Sequence, residues 1–274
     1  MFFVEKKIIE CVPTTIMSAR RGLSTCVARL KDRTVVRISG ADAEKYVQDL
    51  ATNDVRKLAT EGSATQFAAF LTPRGRMICD AFVSRSSARL ALASRDGETP
   101  PPTFLVDVGR SRIDELLPHL RHPLRLRGDV NVESVDADFG VWALLDRDGG
   151  GEVPLAQTVA AAHAACAGAG ATEGGCVAID ARAAHCGHRA VLPLGGGGAL
   201  AIDGGSAEEE EEEEARARAR ATYNSARVLA GAVEGEEVAG LIPLEANFAE
   251  LGGIAFDKGC YLGQELIARV RLPS

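Results

Sequence analysis

The octapeptide Lys258-Gly259-Cys260-Tyr261-Leu262-Gly263-Gln264-Glu265 lies in the stretch of chain densest in unusual residues, Leu241 to Ala268. Glycines on both sides of a cysteine let the backbone turn tightly and approach another group closely. Gln264 to Arg269 then reads as the start of a helix, with Glu265 and Arg269 four residues apart and able to pair. A cysteine beside a helix N-terminus, with Lys258 two residues away, is a setting that lowers a thiol pKa and favours the thiolate. The same residues also suit a small side chain in a tight buried turn, because free cysteine is among the most buried residue types. On the residues alone both readings stand.

Upstream of this loop the pattern is mixed. Thr34 to Ile38 alternates around a β-branched core and ends at Ser39-Gly40, which reads as a strand and turn. Ala43, Tyr46, Val47 and Leu50 then fall at helical spacing. Strands are expected at Thr65 to Leu71, Arg76 to Val83, Ala88 to Ala93 and Thr103 to Val108, with a turn at Thr72-Pro73-Arg74-Gly75. Ser111 is placed to cap a helix through Leu120, whose apolar face is Ile113, Leu116, Leu117 and Leu120. Further strands are expected at Val130 to Val135, Val141 to Leu145, Cys176 to Asp180 and Arg189 to Leu192, with a helix from Leu155 to Cys166. Strands and helices without strict βαβ alternation favour an α+β fold over a doubly wound parallel sheet.

The length of 274 residues suits two domains or one domain with a duplicated core. At 46% hydrophobic and 25% charged the chain is globular in composition, which excludes collagen-like, wholly disordered and coiled-coil classes. No apolar run of about 18 residues is present to span a membrane as a helix. Of the net charge of −7, the segment from Glu208 to Arg220 contributes −4, so the remainder is nearly neutral and carries no nucleic-acid footprint. That segment has seven consecutive glutamates followed by Arg216, Arg218 and Arg220, the order a helix macrodipole favours. With the glycines at Gly195 to Gly198 and Gly204-Gly205, it reads as a solvated insertion over 195–220. Ser206 and Glu209 stand at capping-box spacing, and the helix that follows stops near Gly231.

Residues 1–28 read as a transit peptide, because Arg20 and Arg21 sit among Thr14, Thr15, Ser18, Ser24 and Thr25. The other reading of that composition is an untargeted N-terminus. Seven cysteines without a C-x-x-C pair fit a reducing compartment rather than a disulfide framework. Cys176, His185, Cys186 and His188 include zinc-type ligands but lack the two closely spaced pairs of a structural site, so no metal site is assigned. No nucleophile elbow, P-loop or H-E-x-x-H helix occurs.

The octapeptide resembles the signature of the assembly-factor branch of the folate-binding YgfZ/GcvT-like family: K-G-C, Tyr or Phe, any residue, then G-Q-E. Further segments follow the family's order. They are Ala28 to Gly40, Leu50-Ala-Thr-Asn-Asp54, Leu71-Thr-Pro-Arg-Gly-Arg-Met-Ile-Cys-Asp80, Asp180-Ala-Arg-Ala-Ala-His-Cys-Gly-His-Arg189, Tyr223 to Arg227, Gly231, Glu234-Gly235 and Pro243-Leu-Glu-Ala-Asn247. Where the aminomethyltransferases of the glycine cleavage system carry two aspartates, this chain has Cys79-Asp80. Where they have another residue after their lysine and glycine, it has Cys260.

The resemblance implies an α+β fold of ferredoxin-like modules around a central pocket, with residues 29–145 as an N-terminal folate-binding-like module and 146–274 as a second. The family's C-terminal β-barrel is expected to be missing, leaving an apolar face around Leu262, Leu266 and Ile267 partly uncovered. The implied function is support of 4Fe-4S protein maturation in the mitochondrial matrix, or in a plastid, with A-type iron-sulfur scaffold proteins and apo iron-sulfur enzymes as partners. The alternative is a tetrahydrofolate-dependent one-carbon transferase. In the first reading Cys260 is the essential thiol, a transient ligand or redox-sensitive contact of an iron-sulfur cluster. Lys258 assists it, while Gln264 and Glu265 shape the loop. Tetrahydrofolate is the implied cofactor, with Glu245 at the pterin ring and Asp80 as a further pocket residue.

Overall fold

The computed structural model describes residues 25–60, 65–86, 101–126, 128–146, 155–168, 174–194 and 209–271. Its strands are β1 (Thr25–Arg29), β2 (Arg33–Ser39), β3 (Thr65–Leu71), β4 (Met77–Arg85), β5 (Thr103–Gly109), β6 (Asn131–Ser134), β7 (Phe139–Asp146), β8 (Cys176–Ile179) and β9 (His188–Pro193). The helices are α1 (Ala43–Leu50), α2 (Lys57–Thr60), α3 (Ile113–Leu120), α4 (Leu155–Gly168), α5 (Glu209–Leu229) and α6 (Gln264–Arg271). Two sheets form, with strand orders β3-β4-β5-β2-β6 and β1-β7-β9-β8. Every strand pairing in both is antiparallel, as the α+β reading requires, and no strands close into a barrel among the described residues.

The period-two geometry of strands sorts side chains into layers. In β4, Cys79, Ala81 and Val83 face the layer of α1 and α3, while Asp80 and Phe82 face the opposite way. The helix α1 buries Ala43, Tyr46, Val47 and Leu50, the face its spacing predicts. On the other side of the five-stranded sheet lie the second sheet, α5 and the segment from 230 to 262. The far face of the second sheet, with Trp142, Leu144, Ala190 and Leu192, packs against Ala162 and Val159 of α4. Because β3 and β4 are covered on both faces, their residues are buried along nearly the whole of each strand, with Asp80 as a buried charge among them.

Several local expectations shift. Ser111 lies in a 3-10 turn, Arg110–Arg112, and forms no cap to α3. The strand expected at Ala88 to Ala93, the glycine loop at 195–205 and the cap at Ser206 lie outside the described residues, as do residues 1–24. Thr25 to Arg29 pair with Trp142 to Asp146, and Cys26 and Ala28 are core residues. The last four residues of the expected 1–28 leader therefore belong to the folded body. A boundary near residue 145 falls at the end of β7, in a sheet built from strands on both sides of it. In α5 the glutamates Glu213 and Glu214 are exposed and pair with Arg216 and Arg218, while Ala219 and Tyr223 enter the core. Gly231 follows with φ +70, a left-handed backbone that ends the helix without the Cβ clash. Of the apolar face expected to be uncovered, Ile267 is buried, Leu266 lies against Gly75, and Leu262 packs on the core under α1.

Between the sheets lies a buried charge network. Arg33 of β2 donates to Asp107 of β5 at 2.7 Å and to Asp80 of β4 at 2.5 Å. Arg189 of β9 donates to the other Asp107 oxygen at 2.5 Å. Arg182 is held bidentately by Asp180, at 2.9 and 2.8 Å, and pairs with Glu234. The Tyr223 hydroxyl donates to Glu234 at 2.5 Å and accepts from Arg189 at 2.7 Å. Phe82 lies beneath the guanidinium groups of Arg189, at 3.9 Å, and Arg182, at 4.7 Å. Each of these charged side chains is at most a few percent exposed. Desolvation raises the pKa of Glu234, but the guanidinium groups of Arg182, Arg189 and Arg33 outweigh it and hold the carboxyl well below the usual range.

Replacing Glu234 by Gln removes the carboxylate that Arg182 and Arg189 share but leaves three carboxylates facing the three guanidinium groups. The cost is that of weakened charge-assisted hydrogen bonds, and Glu234→Gln is expected to lower stability by about 1–3 kcal/mol. Since Glu234 has a folded-state pKa below its ordinary 4.5, its contribution is complete above that value and lost as pH falls through the folded-state value. Urea midpoints measured against pH should fall in acid for the parent chain, and this fall should be shallower in Glu234→Gln. An unchanged midpoint in the variant at neutral pH would contradict this account of the core.

Candidate functional site

The octapeptide crosses from the segment packed beneath β3 and β4 to the C-terminal end of α1. Tyr261 is buried in the core shared with Phe67, Met77 and Phe248. Two positive-φ glycines meet at the next turn. Gly263 (φ +83) stands against Leu71 Cβ, the Thr72 carbonyl and Gly75, and Gly75 (φ +78) stands against Leu266 and the Gly263 carbonyl. A Cβ on Gly263 would lie 2.7 Å from the Thr72 oxygen, so both the backbone conformation and the close approach require glycine there. The turn itself is closed by the Gly75 N–H donating to Thr72 O at 2.9 Å. Gly259 meets nothing within 4 Å of an added Cβ and has no positive φ. The two glycines beside the cysteine and after the tyrosine thus serve different purposes.

Lys258 is 6% exposed, and its ammonium donates to three carbonyls: Gln48 O at 2.6 Å, Ala51 O at 2.6 Å and Asn53 O at 3.0 Å. Those carbonyls lie at and just beyond the C-terminus of α1, where helix carbonyls lack intrahelical partners. It also sits 4.8 Å above the Tyr261 ring. Burial pushes the Lys258 pKa down to about 8, with Asp54 and Asp49 acting in the opposite direction. An ammonium has three N–H donors, and carbonyls take all three, so none is directed at the Cys260 sulfur. Neighbouring bonds fasten the same segment: Leu262 N–H donates to Asp49 O at 3.0 Å, Ala255 N–H to Thr52 O at 3.1 Å, and Thr52 Oγ1 to Gly253 O at 2.6 Å. Asn53 Nδ2 donates to Gly252 O at 2.7 Å and to Phe67 O at 2.8 Å.

Cys260 is exposed, whereas Cys26, Cys79, Cys176 and Cys186 are buried. Burial pushes the thiols of Cys79 and Cys176 up, and that of Cys186 to about 11, which keeps them protonated. Cys260 opens on a cleft of about 330 Å³ whose lining includes Glu44, Lys45, Asp49 and Arg56. These charges pair among themselves or with neighbours: Lys45 with Asp49 at 2.5 Å, Arg56 with Asp54 at 2.8 Å, and Glu44 with Arg85 at 3.1 Å. Gln264 accepts from Tyr261 N–H at 3.4 Å at the start of α6, while Glu265 faces solvent and approaches only Arg269, at 3.7 Å, among the described ion pairs.

Glu245, expected at the pterin ring, and Asp80, expected as a further pocket residue, are both absent from the lining of this cleft. Asp80 is fully buried, with Oδ2 on Arg33 and Oδ1 accepting from Gly235 N–H at 2.8 Å. It has no oxygen to offer a pterin without opening the core, and in this respect the residues do not fit tetrahydrofolate. Glu245 is half-exposed. Its carboxylate accepts from Ile242 N–H at 2.8 Å and lies 3.9 Å from Arg76. Sequence reasoning missed the partners of Asp80. A signal was present, because Asp107 interrupts the otherwise apolar run Phe104-Leu-Val-Asp-Val108, and an acid in a doubly covered strand needs a buried cation.

Fold and loop together define an α+β protein of two antiparallel sheets that presents a glycine-flanked cysteine at the edge of a charged cleft. No family model matches the chain. Among curated proteins it is similar to the iron-sulfur cluster assembly factor IBA57 homologues, named mitochondrial, of three organisms. For Coccidioides immitis the identity is 29% over 248 residues, covering 88% of this chain and 52% of that protein. For Dictyostelium discoideum it is 28% over 267 residues, covering 90% and 59%. For Aspergillus fumigatus it is 31% over 273 residues, covering 88% and 53%. The chain is similar to these IBA57 homologues and spans about half the length of the curated relatives it matches. A solved aminomethyltransferase of the glycine cleavage system from Bartonella henselae is similar at 14% identity and a TM-score of 0.44, covering 67% of this chain and 46% of that one. At that distance it fixes neither fold nor activity.

The glycine contacts give a paired expectation. Gly263→Ala should lower stability by about 1–3 kcal/mol through its left-handed backbone and the Thr72 clash. Gly259→Ala should remain within about 0.5 kcal/mol of the parent. Urea unfolding of both variants measures this, and equal losses at the two positions would show that the turn is not held by glycine-to-glycine contact.

Proposed function

We propose that this chain supports the maturation of mitochondrial 4Fe-4S proteins, with Cys260 as the thiol that meets the cluster in transit. The exposure of Cys260 beside four buried cysteines carries this reading, since a cluster held by a partner can reach only a sulfur at the surface. The charged cleft beside it is a surface on which a protein carrying a cluster can dock. The names of the relatives support both the mitochondrial location and a place in iron-sulfur assembly. A-type scaffold proteins are the proposed donors and apo iron-sulfur enzymes the recipients, with the cluster as cargo. In the contact, Cys260 releases its proton and its sulfur takes one iron position vacated by a donor thiolate. That thiolate takes up a proton, and no electron is transferred.

Tetrahydrofolate-dependent one-carbon transfer is not favoured, because Asp80 is committed to Arg33 and Gly235. A pterin would be left with Glu245, half-exposed and already accepting a backbone hydrogen bond. Titration with millimolar tetrahydrofolate is therefore expected to produce no thermal shift. Formaldehyde transfer from an aminomethyl donor, if observed, would overturn this choice.

The direct test is complementation of cells lacking the endogenous factor. Cys260→Ser should express and fold like the parent chain, judged by circular dichroism, yet fail to restore the activities of mitochondrial 4Fe-4S enzymes. Full rescue by the serine variant would remove the thiol from the mechanism.

A further inference from the structure

The signature lysine and the signature cysteine lie two residues apart and point to different places. Lys258 is buried on the Gln48, Ala51 and Asn53 carbonyls, whereas Cys260 is exposed at the cleft lined by Glu44, Lys45 and Asp49. A point-charge ammonium with three donors matches three converging carbonyls, a geometry that the planar fork of arginine does not reproduce. From Lys258, the chain has one residue, Gly259, before the thiol. Two peptide units, at most about 7 Å, separate the Lys258 and Cys260 Cα atoms, so a lysine held by its ammonium keeps the loop tip close to the end of α1. On the other side the tip is bounded by the Leu262 N–H on Asp49 O and by Tyr261 in the core. Both anchors grip the end of α1, the helix whose outer face lines the cleft.

We propose that Lys258 is a positioning residue: it latches the loop onto the end of α1 so that Cys260 stands as a preorganised, outward-facing ligand on the α1 side of the molecule. This rests on Cys260 being the working thiol. The lysine acts through the backbone of the α1 terminus and donates no hydrogen bond to the sulfur. A ligand held in place loses less conformational freedom when it engages iron than one on a loose loop. The partner that brings the cluster is accordingly met across α1, over Glu44, Lys45, Asp49 and Arg56, where its own contact surface must supply complementary charge.

A nitroxide spin label on Cys260 reads the latch directly. It is attached to the full chain with Cys11 and Cys166 replaced by serine, the other cysteines being buried. In this background the label should give the spectrum of a restrained loop, and Lys258→Met should raise its mobility several-fold while circular dichroism keeps the sheet signature. Lower stability with an unchanged label spectrum would overturn the proposal and leave the lysine merely structural. Should Lys258→Met fail to fold, Asn53→Ala serves instead. It removes the bonds to Gly252 and Phe67 upstream of the tip but spares the ammonium latch, so the label should remain restrained. A freely mobile label in Asn53→Ala would show that Lys258 does not hold the tip. The spectra do not depend on complementation: full rescue by Cys260→Ser with a Lys258-dependent spectrum would sink the thiol reading and leave the latch standing.

Discussion

The neutralisation of three interior guanidinium groups is the constraint on which the rest of the structure depends. Arg182 and Arg189 lie in one segment with Asp180, whereas Arg33 and the other carboxylates, Asp80, Asp107 and Glu234, come from distant parts of the chain. No sheet can slip by one residue without moving one of these charges out of register with its partner and leaving another unpaired in the core. The relative placement of the two sheets, of α5 through Tyr223, and of the segment that begins at Glu234 is thereby fixed in one arrangement. Apolar burial favours bringing the sheets together. The charges select how they meet.

That selection reaches the loop. Glu234 and Gly235 start the segment that runs beneath β3 and β4, and Gly235 N–H donates to Asp80. Downstream, Phe248 packs on Phe67 with ring centroids 4.5 Å apart, and Gly253 and Ala255 bond to Thr52. By the time the chain arrives at Lys258 it is alongside the end of α1, where three carbonyls await a donor. The thiol is displayed between residues that are tied down on either side of it. Lys258, Tyr261 and Gly263 are held inward, and Cys260 is left at the surface between them.

The residue pattern supports an α+β protein with no helix able to cross a membrane among its described residues, and the mitochondrial names of the relatives agree with its leader-like composition. Asp80 is the instructive departure. Its neighbourhood in sequence is compatible with a ligand pocket, yet its place on β4 points it at Arg33. The family resemblance brought the right segments together in order, including Asp180 to Arg189 and Tyr223 to Gly235. It did not say that they converge on one buried ion cluster.

Local patterns were legible because they depend on neighbours in the chain. The α1 face of Ala43, Tyr46, Val47 and Leu50, the Thr72 to Gly75 turn, the stop at Gly231 and the helix start at Gln264 are set by periodicity and backbone freedom. Lys258 and Cys260 were equally legible as a pair of unusual residues, but adjacency in sequence suggested that the lysine serves the thiol. Only the fold brings the Gln48, Ala51 and Asn53 carbonyls, some 200 residues earlier, within reach of the ammonium. Sequence by itself determined which residues are chemically unusual and which elements they sit on. The tertiary structure decided which of them face each other: apart from the local Asp180–Arg182 pair, the buried charges are matched to partners distant in sequence, and that matching has no local signature.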